Sequence, residues 1–149
     1  MEKVAALGEQ LIGRWLELKN YQILERNWRC RWGEIDLIVQ SQATKEIAFV
    51  EVKTRKQRNW DADGLLAVNA VKQQKLLQTA ALFLAHQPHL AELPCRFDVG
   101  LVSYQLSNSS TKNITEFPIS QINRLQIGQP IVIQSYTMKI KNYLQAAFD

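Results

Sequence analysis

Two stretches constrain this chain more than any others: Gly33-Glu34-Ile35-Asp36-Leu37-Ile38 and, after a short polar break, Phe49-Val50-Glu51-Val52-Lys53-Thr54-Arg55. Their branched aliphatic residues read as buried β-strand, yet the two stretches carry three carboxylates and a lysine. A lone buried charge costs several kcal/mol, or its pKa shifts until the group is neutral. Strands that retain four such groups must gather them, and a metal ion or a substrate is what usually satisfies the gathering. The stretches therefore read as a site.

Strand geometry restricts how the groups meet. Alternation puts Glu34 and Asp36 on one face, and Glu51 and Lys53 on one face, with Ile35, Leu37, Val39, Ala48, Val50 and Val52 packing on the other. Six residues of turn-like polarity, 40–45, join the strands as a hairpin. If the four groups share a side, the numbers of facing residues sum to an odd value. A sum of 87 fits the loop and sets Asp36 opposite Glu51 and Glu34 opposite Lys53. Carboxylates directly opposed at ~4.5–5.5 Å repel unless a cation bridges them.

The surrounding charge is basic. Between Leu24 and Trp60 there are eight Lys/Arg against five acids, and the whole chain carries +4. A pocket that only binds a cation has no need of that surround, whereas one that accepts phosphate does. At 149 residues with 46% apolar content, the chain suits one globular domain, residues 1–149. No apolar run approaches the ~18 residues of a membrane span. The N-terminus lacks the plan of a signal peptide, so a cytoplasmic protein without membrane association is expected. Cys30 and Cys95 fit no metal or redox spacing and read as reduced thiols.

The remaining pattern predicts a helix over 3–19, a strand entering at Tyr21-Gln22-Ile23-Leu24, strands at 34–39 and 46–53, and a helix over about 70–86 capped by Asn69. Val71, Leu76, Leu77, Ala80 and Leu84 form that helix's expected buried stripe. A fourth strand follows at 96–102, then a strand at 114–119, a short strand at 130–133 and a terminal helix over Tyr136–Phe148. No repeat or linker interrupts the chain.

Asp36 followed by Glu51-Val52-Lys53 resembles the PD-(D/E)XK signature of restriction-endonuclease-like nucleases, with Ile35 where the signature has proline. The helix before it, carrying Glu9, and the helix after it, carrying Lys72, follow the order of archaeal Holliday-junction resolvases. More closely, Gly8-Glu9, Arg26-Asn27-Trp28-Arg29, Gly33–Ile38, Phe49–Arg55, Lys72-Gln73 and Arg96-Phe97-Asp98-Val99 resemble the YraN family of small bacterial nuclease-like proteins. The resemblance covers about residues 5–102, and 103–142 reads as an extension relative to a typical member. It implies an α/β fold: a restriction-endonuclease-like α-β-β-β-α-β core with a mixed central sheet flanked by helices.

The same resemblance implies roles. Asp36 and Glu51 become metal ligands for Mg or Mn, with the Val52 carbonyl as a further ligand, Lys53 as the catalytic lysine and Glu9 as an auxiliary acid. The residue chemistry agrees: hard carboxylate oxygens suit these metals. Lys53 on the same face suits either an attacking water or the charge developing on phosphoryl oxygens. Glu34, at the strand start, reads as a supporting residue. Arg29, Arg31, Arg55, Lys56, Arg58, Trp60 and Lys72 are candidates for nucleic-acid contact, or else a solvated basic surface. Arg26, Trp28 and Trp32 divide between contact and core in the same way, and Asp98 reads as an arginine's structural partner. The expected function is metal-dependent hydrolysis of DNA, favoured over RNA, of branched, flapped or single-stranded form. The alternative is a non-catalytic nucleic-acid-binding module. Resolvase-type action would require a homodimer.

Overall fold

The computed structural model describes residues 3–57, 68–107 and 118–148. Helix α1 (Val4–Leu18) is followed by strands β1 (Tyr21–Cys30), β2 (Gly33–Ser41) and β3 (Ile47–Lys56). Helix α2 (Ala70–Ala85) then leads to β4 (Cys95–Leu106), a single 3-10 turn at Ile119–Gln121, β5 (Ile131–Ile133) and β6 (Tyr136–Phe148). The six strands form one mixed sheet in the order β1-β2-β3-β4-β6-β5. Only β3 and β4 run parallel, because α2 carries the chain back over the sheet between them. The first six elements thus reproduce the expected α-β-β-β-α-β order with helices on both faces.

Each face has its own core. Leu7, Leu11, Ile12 and Leu16 of α1 pack on Leu37, Val39, Ala48, Val50 and Val52, joined by Met138, Ile140 and Tyr143 of β6. On the opposite face Leu76, Ala80 and Phe83 of α2 pack on Ile35, Ile38, Ile47, Phe49 and Leu101. Helix α1 lies tight against the sheet because two glycines permit it. A Cβ built on Gly8 would stand 2.0 Å from Thr54 Oγ1, and one on Gly100 would stand 2.9 Å from Ile12 Cδ1. Helix α2 starts where Asn69 Oδ1 accepts from the Lys72 N–H at 2.9 Å, the expected cap. Its buried face omits Val71, which is 67% exposed in the first turn, opposite the stripe of Leu76, Thr79, Ala80 and Phe83.

Two expectations need correction here. The terminal segment Tyr136–Phe148 is a strand, not a helix, paired with β4 along most of its length. Satisfying β4's free edge outweighs the helix preference of its Leu-Gln-Ala-Ala run. Of the strand expected at 114–119, residues 114–117 lie outside the described residues, while Ile119 begins the 3-10 turn.

Candidate active site

The β2–β3 register has the expected sum: Leu37 faces Val50, Ile38 faces Phe49, Val39 faces Ala48 and Gln40 faces Ile47. The ladder ends at Leu37–Val50, one residue short of the carboxylates, so Asp36 and Glu51 are not a backbone-paired couple. Instead the Val52 N–H donates to Asp36 Oδ2 at 2.8 Å, and a side chain takes the place a β2 carbonyl would have filled. Alternation breaks at this point. Ile35 belongs to the α2-side core while Leu37 and Val39 belong to the α1-side core, so Ile35 does not share their face. Asp36 is aimed sideways into the gap between the strands. Because the N–H and C=O of a strand residue address the same neighbour, the Val52 carbonyl opens toward that gap as well.

Glu34 joins the group through Asn27 and Glu9. Glu34 pairs with Arg29 Nε at 2.7 Å, directly across the β1–β2 ladder, rather than facing Lys53. With its amide nitrogen assigned toward the acids, Asn27 donates to Glu34 Oε1 at 2.8 Å and to Glu9 Oε1 at 3.0 Å. Asn27 adopts φ 51°, a left-handed conformation that Asn tolerates better than other residues with a Cβ. Its role was missed in the sequence; an Asn inside a strand of charged and aromatic residues was the available signal. Glu9 reaches this group because Gly8 seats α1 against β3. Burial raises the Glu9 pKa, with the charges of Glu34 and Glu51 adding to it, against hydrogen bonds from Asn27 and Asp36.

Asp36 and Glu51 are buried, 9% and 5% exposed. Burial, then the hydrogen bond and charge of Glu51, push Asp36 up to about 9, although the Val52 N–H opposes the shift. The pair therefore holds a proton at neutral pH unless another positive charge takes its place. Lys72 Nζ of α2 stands 3.3 Å from Glu51 Oε2, near enough for an ion pair. That approach lies outside hydrogen-bond geometry, so this buried oxygen has no hydrogen-bond donor. Lys53, half-buried on β3 two residues beyond Glu51, shares the α2-side face with it. It makes no ion pair among the described residues.

A second buried carboxylate shows the contrast. Asp98, fully buried, accepts from Arg96 Nε at 3.0 and 3.1 Å, from Tyr143 Oη at 2.7 Å and from the Ala146 N–H at 3.0 Å. Arg96 also binds Glu46 and Tyr21 Oη. That network is complete, and Asp98 is the arginine partner the sequence suggested.

The basic candidates scatter. Arg29 is spent on Glu34, and Arg31 stacks on Trp32 with its guanidinium carbon 4.7 Å from the ring centroid. Arg55 and Lys56 lie exposed at the end of β3, with Lys56 lining a groove shared with Tyr104 and Leu106. Arg58 and Trp60 lie outside the described residues. The expected cluster is thus brought together at Glu9, Glu34, Asp36, Glu51, Val52 and Lys72, with Lys53 beside it.

Among the described residues no three His, Cys, Asp or Glu side chains form a metal-holding group. The donor set still suits Mg or Mn, which commonly takes one or two carboxylates and fills the rest with water and phosphate oxygens. The donor-less Glu51 oxygen, the proton-holding Asp36 and the Val52 carbonyl are the atoms such an ion would meet.

Fold and site together define a class: a mixed α/β sheet protein of restriction-endonuclease-like topology, with a buried carboxylate pair at the point where two strands part. Comparison with known proteins narrows this to a family. The profile of the uncharacterised protein family UPF0102 matches residues 8–102. A UPF0102 protein of Synechocystis is 47% identical, aligned over 99% of this chain and 99% of its own length. One from Acaryochloris marina is 46% identical over 98% of this chain and 90% of its own length. The chain belongs to the UPF0102 family, the YraN family that the motifs resembled. No helix among the described residues is long and apolar enough to cross a membrane.

Proposed function

We propose that this protein is a metal-dependent nuclease that hydrolyses phosphodiester bonds in DNA, acting in the cytoplasm on branched, flapped or single-stranded structures during repair or recombination. One observation carries the reading: Asp36 and Glu51 are buried side by side and Glu51 Oε2 has no hydrogen-bond donor, while the fully buried Asp98 has a full set. A buried acid pair that lacks donors is destabilising unless a cation belongs there. A bound Mg or Mn ion would polarise the phosphoryl oxygen and lower the pKa of a coordinated water. Asp36, Glu51 and the Val52 carbonyl would hold that ion. Lys53 would orient the attacking water or offset charge on the phosphoryl oxygens as the P–O ester bond breaks. Glu9, tied through Asn27 to Glu34, would fix the far side of the acid group.

The test is cleavage of a panel of single-stranded, duplex, flapped and four-way DNA, with matching RNA, in Mg²⁺ or Mn²⁺. Asp36→Ala, Glu51→Ala and Lys53→Ala are expected to abolish cleavage while keeping the far-ultraviolet circular dichroism of the parent. Failure of the folded wild-type protein to cut any member with either metal refutes the reading. One observation favours the second reading, a non-catalytic nucleic-acid-binding module: the Lys72 ammonium stands where a cation would neutralise Glu51. Metal-independent DNA binding that survives Asp36→Ala, without cleavage, would select it.

A further inference from the structure

Trp28 and Trp32 look alike in sequence, and the structure separates them. The Trp28 ring packs edge-on to Phe83 with centroids 5.4 Å apart, partly buried against the α2-side core. Trp32 sits at the tip of the β1–β2 hairpin, 39% exposed, with the Arg31 guanidinium 4.7 Å from its ring centroid. Arg31 covers one face of the indole, so the exposure that remains belongs to the other face and the edges. A large aromatic surface left to water gives up the stabilisation burial would bring.

The tip is also held in place. Arg29 and Glu34 are ion-paired across facing positions just below it. The Trp32 N–H donates to Cys30 Sγ at 3.4 Å, and Cys30 Sγ lies 3.8 Å from Thr79 Oγ1 on α2. Thr79 shares a helix face with Lys75 and Lys72, being four and seven residues beyond them. At one end of this row Lys72 meets Glu51, and at the other Thr79 meets the hairpin. Seven helical residues span ~10 Å. Along β2, four extended residues from Trp32 to Asp36 span ~13 Å. Both routes place the indole about three or four stacked nucleotides from the acid pair, at ~3.4 Å each. The exposed Lys75 lies on the α2 face between them.

A planar cation-backed indole accepts the π-face of a nucleobase, and stacking of this kind is indifferent to base identity. Bases inside a duplex are covered on both faces by their neighbours and cannot use such a surface. We infer that Trp32 and Arg31 form a stacking platform for an unpaired base, so that the polynucleotide this site takes is single-stranded a few nucleotides from the point of cleavage. The inference rests on the nuclease reading and names its substrate: a flap, a frayed end or a single strand rather than a blunt duplex.

The experiment measures anisotropy of a labelled single-stranded DNA 12-mer and of the corresponding blunt duplex, with metal removed by EDTA so that nothing is cut. Trp32→Ala is expected to weaken the single strand about tenfold and leave the duplex within about twofold. The exposed position keeps this variant folded. Trp32→Phe should retain most of the binding but lose the quenching of tryptophan emission that the single strand causes in the wild type. Equal affinity of wild type and Trp32→Ala for the single strand, or equal quenching in Trp32→Phe, overturns the inference alone. A wild type that binds neither DNA in EDTA overturns the inference, while failure to cleave in Mg²⁺ or Mn²⁺ is what overturns the nuclease reading.

Discussion

Replacing Asp36 with asparagine should make this protein more stable, and the gain should grow with pH. In the unfolded chain Asp36 titrates near 3.8, while in the folded protein burial and the adjacent Glu51 push it up to about 9. Between those values the folded state holds a proton that the unfolded state has released, so stability falls as pH rises through the window. The limiting slope is ~1.4 kcal/mol per pH unit, or ~4 kcal/mol between about pH 5 and pH 8. Admission of water to the gap between β2 and β3 relaxes the burial, and ~2 kcal/mol is the figure we carry forward. Asparagine is neutral throughout, keeps an oxygen for the Val52 N–H, and turns an amide toward Glu51. For a chain of this length 1 kcal/mol corresponds to ~2–4 °C, so near pH 8 the variant should melt ~4–8 °C above wild type. The difference should shrink toward pH 5. Thermal denaturation in EDTA at three pH values measures it, and millimolar Mn²⁺ should then raise the wild-type Tm while leaving the variant unmoved. A stability difference independent of pH, or a variant less stable near pH 8, would show that Asp36 ionises freely and that the acid pair is not starved of donors.

Two further substitutions test how the site is held. In Gly8→Ala the new methyl would stand 2.0 Å from the buried Oγ1 of Thr54, with Cβ and Cγ2 of the same short branched side chain at 3.1 and 3.3 Å, so a rotamer change brings little relief. A loss of ~1–3 kcal/mol is expected in urea denaturation, with most of it recovered in Gly8→Ala/Thr54→Ala; additive losses would place the strain elsewhere. Tyr143→Phe removes the 2.7 Å donor to Asp98 and should cost ~2 kcal/mol by the same measurement, with no effect on any metal response.

What was legible in the sequence was local. The hairpin register followed from two short alternating stretches and the length of their loop, and the helices from apolar spacing and the Asn69 cap. What was not legible depended on distant pairing. In β6 the register against β4 shifts between the partners of Leu101 and Val102, and again near the end of the strand. The first shift skips Lys141, so burial runs Met138, Ile140, Tyr143 instead of keeping to every second residue. With Tyr136 and Leu144 partly buried, the apolar positions 136, 140, 143 and 144 imitate helical spacing, which is why the segment reads as a helix. The face assignment at Ile35 failed similarly. Strict alternation presumes a continuous ladder, and this one stops at Leu37–Val50.

That early stop links fold to site more closely than the residue types do. Had the β2–β3 ladder continued two residue pairs further, to Ile35 and Val52, the Ile35 carbonyl would have met the Val52 N–H and freed Asp36 to point onto a sheet face. By ending, the ladder turns Asp36 into the gap, assigns the Val52 N–H to its Oδ2 and leaves Glu51 Oε2 without a donor. Asp98 sits one strand away at the level of Val50, where β3 and β4 are fully paired, and there every carboxylate lone pair finds a donor from Arg96, Tyr143 or Ala146. Two buried aspartates thus differ in consequence because one lies where strands stay together and the other where they part. Asp98 is saturated and holds the sheet; beside Asp36, Glu51 Oε2 is the oxygen left with binding capacity to spare. That difference in donor supply, which no count of acids in the sequence contains, separates a carboxylate whose bonds are complete from a pair that the proposed metal would complete.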